Sequence, residues 1–321
     1  MSDNVKVLIV GAGTMSEEYC KVLTALNYEP IIVGRGEEKA ENLEQKIGLP
    51  VLRGGIEENI AKMEEIPQYA INAVGVHQLA DTTKTLLNHG IKAILVEKPA
   101  GTNRKQIEEI VTLARKKEAK VYVAYNRRFY ASTNKALEII KKDGGVTSFN
   151  FEFTEWPDAN LHKVNETRFL ANSTHVVDLA FFLGGCPVEM NSYVRGELDW
   201  HKSGCMYAGA GISNKDVLFS YQANWDAPGR WSVEILTNKH RLYFKPMEKL
   251  QIQEKGSVAV KFIELDDELD ITYKPGLYRQ VESFLKELDD GKKITIEEQL
   301  MHLKWYEMIE GMNSHERKLY D

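Results

Sequence analysis

The stretch VKVLIVGAGTMS, residues 5–16, joins a run of aliphatic residues to two closely spaced glycines. The run from Val5 to Val10 predicts a buried strand, and the pattern that follows the glycines predicts a helix. Gly11 permits the tight turn between them, and Gly13 lets the backbone approach a ligand closely. The free N–H groups at the start of such a helix stabilise an anion. The stretch therefore predicts a unit that binds the pyrophosphate of a dinucleotide.

Three residues next to this loop depart from the usual dinucleotide-binding pattern. Ser16 stands where a third glycine would allow helix and strand to pack closely, and Glu17 and Glu18 place negative charge near the proposed anion. An ordinary strand-to-helix turn therefore stays open as an alternative. If the loop binds a dinucleotide, we expect Thr14 and Met15 to contact it.

The first third of the chain alternates short β-branched runs with helical patterns, up to the run from Lys120 to Ala124. This alternation predicts βαβ units and a parallel sheet covered by helices on both faces. After Tyr125 the segments lengthen and alternate polar with apolar residues, as from Thr147 to Thr154, which predicts antiparallel strands. We therefore expect an α/β protein with two domains, residues 1–123 and residues 124–321.

Composition and charge restrict the partners of this chain. Its 321 residues include 41 Lys and Arg against 47 Asp and Glu, a net charge of -6, which would repel the phosphate backbone of a nucleic acid. No run approaches the roughly 18 apolar residues of a membrane span, and the start MSDN lacks the basic residues of a signal peptide. We expect a cytoplasmic protein with a small-molecule substrate. The three cysteines and the histidines lack the spacing of disulfide or metal sites.

The end of the second strand, VGRG at residues 33–36, indicates which dinucleotide binds. An NAD enzyme usually offers a carboxylate here to the ribose hydroxyls, and this chain has Gly34 instead. Arg35 can meet an adenosine 2′-phosphate with charge-assisted hydrogen bonds, helped by Lys39 one turn on. These residues favour NADP(H) as the cofactor. The pair Glu37–Glu38 can still reach a ribose, so NAD(H) stays open.

Further motifs carry a family resemblance. The segment VEKP, residues 96–99, is followed by AYNRRF at residues 124–129, and HVVDL at residues 175–179 opens a later helix. With the helical pattern from Tyr278 to Leu288, these motifs resemble the Gfo/Idh/MocA oxidoreductases. The resemblance implies an N-terminal Rossmann domain that binds NAD(P) through a doubly wound parallel sheet, and a C-terminal α/β domain with an open, mostly antiparallel sheet. It also implies a homodimer or homotetramer assembled through that sheet, and substrates such as sugars, sugar nucleotides, inositols and polyols.

The resemblance also assigns roles to single residues. Lys98 matches the family's active-site lysine, Pro99 the proline that often follows a cis bond, and His175 the active-site histidine, which we expect in the first turn of its helix. Hydride transfer between a carbinol carbon and nicotinamide requires a proton to leave or join the oxygen, and an ammonium or imidazole can move it. Lys98 also follows a strand, at the edge where an open parallel sheet binds ligands. The remaining predicted cofactor contacts are Val74, His77, Glu97 and Lys98 itself.

One residue of the family pattern is missing. Many members carry an acidic residue four positions before the histidine, where this chain has Ala171 with Asn172 beside it. Either Lys98 and His175 suffice, or Asn172 binds substrate while the proton leaves by another route, or catalysis has been lost. The predicted substrate contacts are Asn126, Arg127, Arg168, Asn172, His175 and Trp225. Weaker candidates for a sugar-stacking face, with packing as the alternative, are Trp156, His162, Lys163 and Trp231.

The combined motifs predict an NADP-dependent oxidoreductase that moves a hydride between nicotinamide and a secondary alcohol or ketone of a sugar, sugar nucleotide or polyol. Lys98 handles the proton or polarises the oxygen, and His175 assists or orients the substrate. Because of Ala171, one alternative is a catalytically inactive sensor that binds NAD(P). The other alternative is a lyase or hydrolase that retains its cofactor and oxidises its sugar transiently.

Overall fold

The computed structural model describes residues 5–156 and 167–311. These residues form two compact units, the first from residues 5–129 and 268–300, the second from the described parts of residues 130–267 and 301–311. Within the described residues, every helix is too short or too polar to cross a membrane. The cytoplasmic location stays a prediction.

Strands and helices follow one another in the order expected for two α/β units. The strands are β1 (Lys6–Val10), β2 (Glu29–Val33), β3 (Val51–Leu52), β4 (Tyr69–Asn72), β5 (Ala93–Val96), β6 (Lys120–Val123), β7 (Ser148–Glu152), β8 (Pro187–Arg195), β9 (Met206–Ser213), β10 (Leu218–Asn224), β11 (Ser232–Leu236), β12 (His240–Phe244), β13 (Gln251–Glu254), β14 (Val260–Phe262) and β15 (Ile294–Thr295). The α-helices are α1 (Thr14–Ala25), α2 (Glu37–Ile47), α3 (Ile56–Ile60), α4 (Leu79–Asn88), α5 (Arg104–Lys117), α6 (Ala131–Asp143), α7 (Thr174–Gly184), α8 (Glu268–Thr272), α9 (Leu277–Leu285) and α10 (Ile296–Glu310).

The first unit is built on a seven-stranded sheet in the order β15-β6-β5-β4-β1-β2-β3. Strands β1 to β6 are parallel to their neighbours, whereas β15 runs antiparallel beside β6. The aliphatic run of β1 is buried from Val7 to Val10, as a strand covered on both faces requires. Strand order reverses between β1 and β4, which opens a crevice at the carboxyl ends of these strands. The predicted doubly wound Rossmann sheet is confirmed.

The second unit contains an eight-stranded sheet in the order β14-β13-β12-β11-β7-β10-β9-β8. Neighbouring strands are antiparallel except for the parallel pair β7 and β10. One face of this pair is aromatic: the rings of Phe151 and Tyr221 stack at 5.2 Å, and Phe181 of α7 meets Phe151 edge-on. Helix α7 therefore covers the centre of the sheet, and the predicted mostly antiparallel sheet is confirmed.

The division of the chain differs from the expected single boundary after residue 123. Residues 124–129 remain with the first unit, and residues 268–300 return to it. The physical reason is twofold. Strand β15 extends the first sheet through Ile294 and Thr295, and α9 places Leu277, Val281 and Phe284 in the core that includes α1. Short apolar elements of this kind need a partner to cover them, and their sequence does not state which unit provides it.

We predict that Phe284→Ala destabilises the first unit by about 3–5 kcal/mol. The Phe284 ring is buried and meets Tyr69 and Tyr122 edge-on at 5.8 and 6.2 Å. Differential scanning calorimetry measures the loss, with Ile271→Ala as the control because Ile271 belongs to the same returning segment and is 75% exposed. Equal melting temperatures for the two variants would contradict this packing.

Candidate active site

A cavity of about 630 Å³ opens at the carboxyl ends of β1, β2 and β4. Its volume lies in the range of sites that bind small molecules and cofactors. The lining residues that sequence analysis had proposed for the cofactor are Gly11, Gly13, Thr14, Met15, Arg35, Lys39 and Val74. The fold therefore brings these seven together in the first unit, at the edge of the sheet where a doubly wound fold binds its ligand.

The two glycines of the loop meet different surroundings. Gly11 has φ +128°, and a Cβ built on it would lie 2.5 Å from the carbonyl oxygen of Ala73, so a side chain is excluded there. A Cβ on Gly13 would meet no protein atom within 4 Å. Gly13 caps α1 without a side-chain hydrogen bond, which leaves the first N–H groups of the helix to an anion. The space beside Gly13 is thus open and is not filled by packing.

Ser16 occupies the third position of the loop, where the usual pattern has glycine. Its side chain is fully buried, and its hydroxyl makes no hydrogen bond with the described residues. The hydroxyl lies 3.2 Å from the position that a Cβ on Gly11 would take. Ser16 is therefore accommodated beneath the turn.

The positive side chains at the end of β2 face the same cavity. Arg35 and Lys39 both line it, and the nearest carboxylate to Arg35, Glu57, is 4.0 Å away. The Arg35 side chain is 61% exposed. Glu37, one of the two glutamates left open as ribose ligands, instead accepts a hydrogen bond from Arg53 at 2.9 Å. The cavity rim therefore offers cations where an NAD enzyme usually offers a carboxylate.

His77 and Glu97 lie outside the lining of this cavity. His77 is exposed in a 3-10 turn at Val76–Gln78. The Glu97 carboxylate accepts a 2.7 Å hydrogen bond from the hydroxyl of Tyr19, which is fully buried in α1. Burial, and then the neighbouring Glu97 carboxylate, raises the pKa of Tyr19 well above its ordinary value. Glu97 therefore links the end of β5 to the helix that follows the glycine loop.

Lys98 directly follows Glu97 at the carboxyl end of β5 and is half-buried. The Lys98–Pro99 peptide bond is cis. Pro99 is buried, and its carbonyl oxygen accepts a hydrogen bond from Gln299 at 3.3 Å. The residues on either side of Lys98 are thus each fixed by a hydrogen bond, the Glu97 carboxylate by Tyr19 and the Pro99 carbonyl oxygen by Gln299.

Asn126 and Arg127 lie in a 3-10 turn at Asn126–Phe129 in the first unit. The Asn126 amide is buried and donates to the carbonyl oxygen of Pro275 at 2.9 Å, while Arg127 is half-buried. The Asn126 amide group therefore fastens the turn to the segment before α9. A substrate contact stays a prediction for both residues.

In the second unit, a π-helical turn at Phe169–Ser173 leads directly into α7. His175 lies in the first turn of α7, as expected, but this turn continues the helical backbone of the π-turn that precedes it. The His175 side chain is 7% exposed, and its ring centre lies 6.3 Å from that of Trp231. Extra residues in π-turns occur often at functional sites.

The aromatic candidates separate into a buried and an exposed group. Trp225 is 3% exposed, donates to the carbonyl oxygen of Phe153 at 3.1 Å and stacks on Trp200 at 5.5 Å. Its substrate contact stays a prediction, and in this structure the indole is engaged in packing. Trp156 is 54% exposed. His162 and Lys163 lie outside the described residues.

Sequence analysis missed Glu155, a carboxylate just after β7 that is fully buried. It accepts hydrogen bonds from two predicted substrate contacts, Arg168 at 3.2 Å and Asn172 at 2.9 and 3.0 Å. A negative charge therefore lies beside the segment in which Ala171 replaces the usual acidic residue. The available signal was an acidic residue between Phe153 and Trp156, where the alternation of β7 predicts burial.

Residues 5–125 match the model of the Gfo/Idh/MocA family, described as an oxidoreductase family with an NAD-binding Rossmann fold. A trans-1,2-dihydrobenzene-1,2-diol dehydrogenase from Xenopus tropicalis is 32% identical over 152 residues. That alignment covers 45% of this chain and 45% of the relative. The chain therefore aligns with less than half the length of this relative.

Solved structures resemble this chain over nearly its whole length. A dehydrogenase named MviM from Clostridium difficile has a TM-score of 0.79 at 20% identity, covering 97% of this chain and 100% of its own. Levoglucosan dehydrogenase in complex with NADH and levoglucosan has a TM-score of 0.76 at 16% identity, covering 96% of both chains. At these identities the likeness establishes the common fold.

We predict that alanine at Gly13 mainly impairs dinucleotide binding, whereas alanine at Gly11 mainly lowers the free energy of unfolding. Gly13→Ala should abolish dinucleotide binding while changing the free energy of unfolding by less than about 1 kcal/mol, because the added methyl group fills ligand space. Gly11→Ala should lose about 2 kcal/mol or more of stability, because its φ and its contact with Ala73 exclude a side chain. NADPH fluorescence titration and urea unfolding measure both effects. If Gly13→Ala bound NADPH as tightly as the wild type, the loop would not hold the phosphates.

Proposed function

We propose that the chain is an NADP-dependent oxidoreductase of the Gfo/Idh/MocA family, whose model residues 5–125 match. Its substrate in this proposal is a secondary alcohol or ketone of a carbohydrate-like molecule. The observation that carries the proposal is the cavity that joins the glycine loop to Arg35. Its residues suit the two most highly charged parts of NADP, the pyrophosphate and the 2′-phosphate.

The donor set of the cavity supports NADP over NAD. The pyrophosphate needs backbone N–H donors without a side chain in the way, and the loop at Gly13 leaves that space open. A 2′-phosphate needs cations, and Arg35 and Lys39 line the cavity. Arg53 pairs with Glu37, so that carboxylate is engaged. NADP(H) therefore fits the charges of this site better than NAD(H) does.

Lys98 is the proton-handling residue in this proposal. When bound, the nicotinamide supplies or accepts the hydride. In ketone reduction the Lys98 ammonium donates a hydrogen bond and then its proton to the substrate oxygen, and in alcohol oxidation the neutral Lys98 amine accepts the hydroxyl proton. The held turn between Glu97 and Pro99 limits the freedom of the lysine backbone. His175 binds or orients the substrate.

Similar proteins support a hydroxylated substrate. The relative from Xenopus tropicalis is named for a cyclic diol, and a structural neighbour was solved with levoglucosan, a sugar. Both kinds of molecule carry secondary hydroxyl groups that can be oxidised to ketones. Assembly into a homodimer or homotetramer through the second sheet, and a location in the cytoplasm, belong to the same proposal.

We predict that Arg35→Ala weakens NADPH binding by about 10- to 100-fold and leaves NADH binding nearly unchanged, because one charge-assisted contact to the 2′-phosphate is lost. Fluorescence titration with both nucleotides measures the effect. Lys46→Ala is the matched control, because Lys46 lies on α2 outside the cavity and pairs with Glu17. A variant that loses affinity for both nucleotides equally would remove Arg35 from the 2′-phosphate site.

We predict that Lys98→Met lowers kcat by about 100-fold or more with unchanged NADPH affinity, because the proton no longer has a carrier. Turnover of levoglucosan and of trans-1,2-dihydrobenzene-1,2-diol is followed by nicotinamide absorbance. Lys92→Met serves as the control, since Lys92 is an exposed lysine that precedes β5. Full activity in Lys98→Met would end the proposed role of this lysine.

A further inference from the structure

Glu155 is a buried carboxylate with an unusually complete set of donors. Its two oxygens accept hydrogen bonds from Asn172 Nδ2 at 3.0 and 2.9 Å, Ser173 Oγ at 2.8 Å, Trp231 Nε1 at 3.2 Å, Arg168 at 3.2 Å and Arg230 at 3.4 Å. Every partner is a donor, which suits an ionised carboxylate because its oxygens only accept. A buried charge is tolerated only when it is paired and hydrogen-bonded in this way.

The contact with Glu155 determines how the Asn172 amide is oriented. A primary amide has one face of donors and one of acceptors, and the hydrogen-bond network decides which way it lies. Because Nδ2 donates to both Glu155 oxygens, the amide oxygen of Asn172 is directed away from the carboxylate. Asn172 is partly exposed. Its amide oxygen is therefore the acceptor that it can present to a molecule on the side away from Glu155.

The same carboxylate also fixes the neighbourhood of His175. It holds the indole N–H of Trp231, whose ring faces His175 at 6.3 Å. Arg230 lies over the Trp231 ring, with 4.3 Å from the guanidinium carbon to the ring centre. Glu155 thus joins three segments of the second unit: the end of β7, the π-helical turn before α7, and the start of β11.

We infer that Glu155 is the positioning carboxylate of the substrate site and that it makes Asn172 an acceptor selective for substrate hydroxyl groups. This inference rests on the proposed function. Glu155 reaches the segment from β7, and so a negative charge is present although residue 171 is alanine. The carboxylate acts through Asn172 and Trp231. The substrate class that this acceptor selects carries a free hydroxyl at the contact, as polyols and cyclic diols do.

The test compares Glu155→Gln with the wild type and with Glu152→Gln. Glutamine at this position keeps the size of the side chain but brings an NH2 group of its own, so the Asn172 amide is no longer held in one orientation. Glu152 is the matched control because it lies at the end of the same strand and contacts Thr154 and Lys245 instead. The measurements are KM and kcat for levoglucosan and trans-1,2-dihydrobenzene-1,2-diol, calorimetric binding of both, NADPH affinity and melting temperature.

We expect Glu155→Gln to raise KM and the dissociation constant of the hydroxylated probe about tenfold or more, with kcat within about threefold and NADPH affinity unchanged. Glu152→Gln should match the wild type. If Glu155→Gln does not fold, Asn172→Ala must give the same rise in KM, because it removes the acceptor and leaves Glu155 its other donors.

Two results would overturn the inference. The first is an unchanged KM in Glu155→Gln or Asn172→Ala, whether or not kcat and the melting temperature fall, and the second is a wild type that binds neither probe. The proposed function is judged separately. Wild-type turnover with an unaffected Glu155→Gln rejects this inference alone. Wild-type binding that Glu155→Gln loses, without turnover in either protein, supports the inference and rejects the oxidoreductase.

Discussion

The turn at Gly11 is the constraint on which the first unit depends. Its N–H donates to the carbonyl oxygen of Val33 at 2.8 Å, and its α-carbon faces the carbonyl oxygen of Ala73. The turn is therefore held between the ends of β2 and β4, the strands on either side of β1. Because no side chain fits there, the helix that follows begins close to the sheet, and its free N–H groups border the cavity. The close approach at Gly11 therefore places the start of α1 at the edge of the cavity.

Local sequence patterns predicted the first unit well and the second less completely. The central parallel strands β1 and β5 are buried along nearly their whole length, so both appear as continuous aliphatic runs. Strand β9 has the sequence MYAGAGIS, in which Ile212 is the one β-branched residue and Ala and Gly fill the centre. Its small residues are explained only by the neighbours: a Cβ on Gly209 would lie 2.4 Å from the Tyr221 ring, and one on Gly211 would lie 2.2 Å from the Glu189 carbonyl oxygen. Tertiary packing therefore requires glycine at these two positions.

The residues of the candidate site likewise include some that local sequence predicts and some that it does not. The glycine loop, Arg35 and the motif at Lys98 are contiguous in sequence, so their chemistry could be predicted without a structure. The alternation of β7 predicts the burial of Glu155, but its partners could not be predicted, because they come from other segments of the chain, near residue 170 and at residues 230–231. A glutamate after a strand is usually a solvated end. The return of α9 and β15 to the first unit depends on long-range packing for the same reason.

That return has a consequence for the way the protein is made. The chain passes between the units three times, and the first unit is complete only when residue 300 has been added. A ribosome releases the chain from its N-terminus, and domains usually fold in that order. Here the first unit cannot complete its core until nearly the whole polypeptide has been synthesised. Until then, the apolar surface that α9 covers is exposed to solvent. The two halves therefore mature together, although the glycine loop is among the first segments to be made.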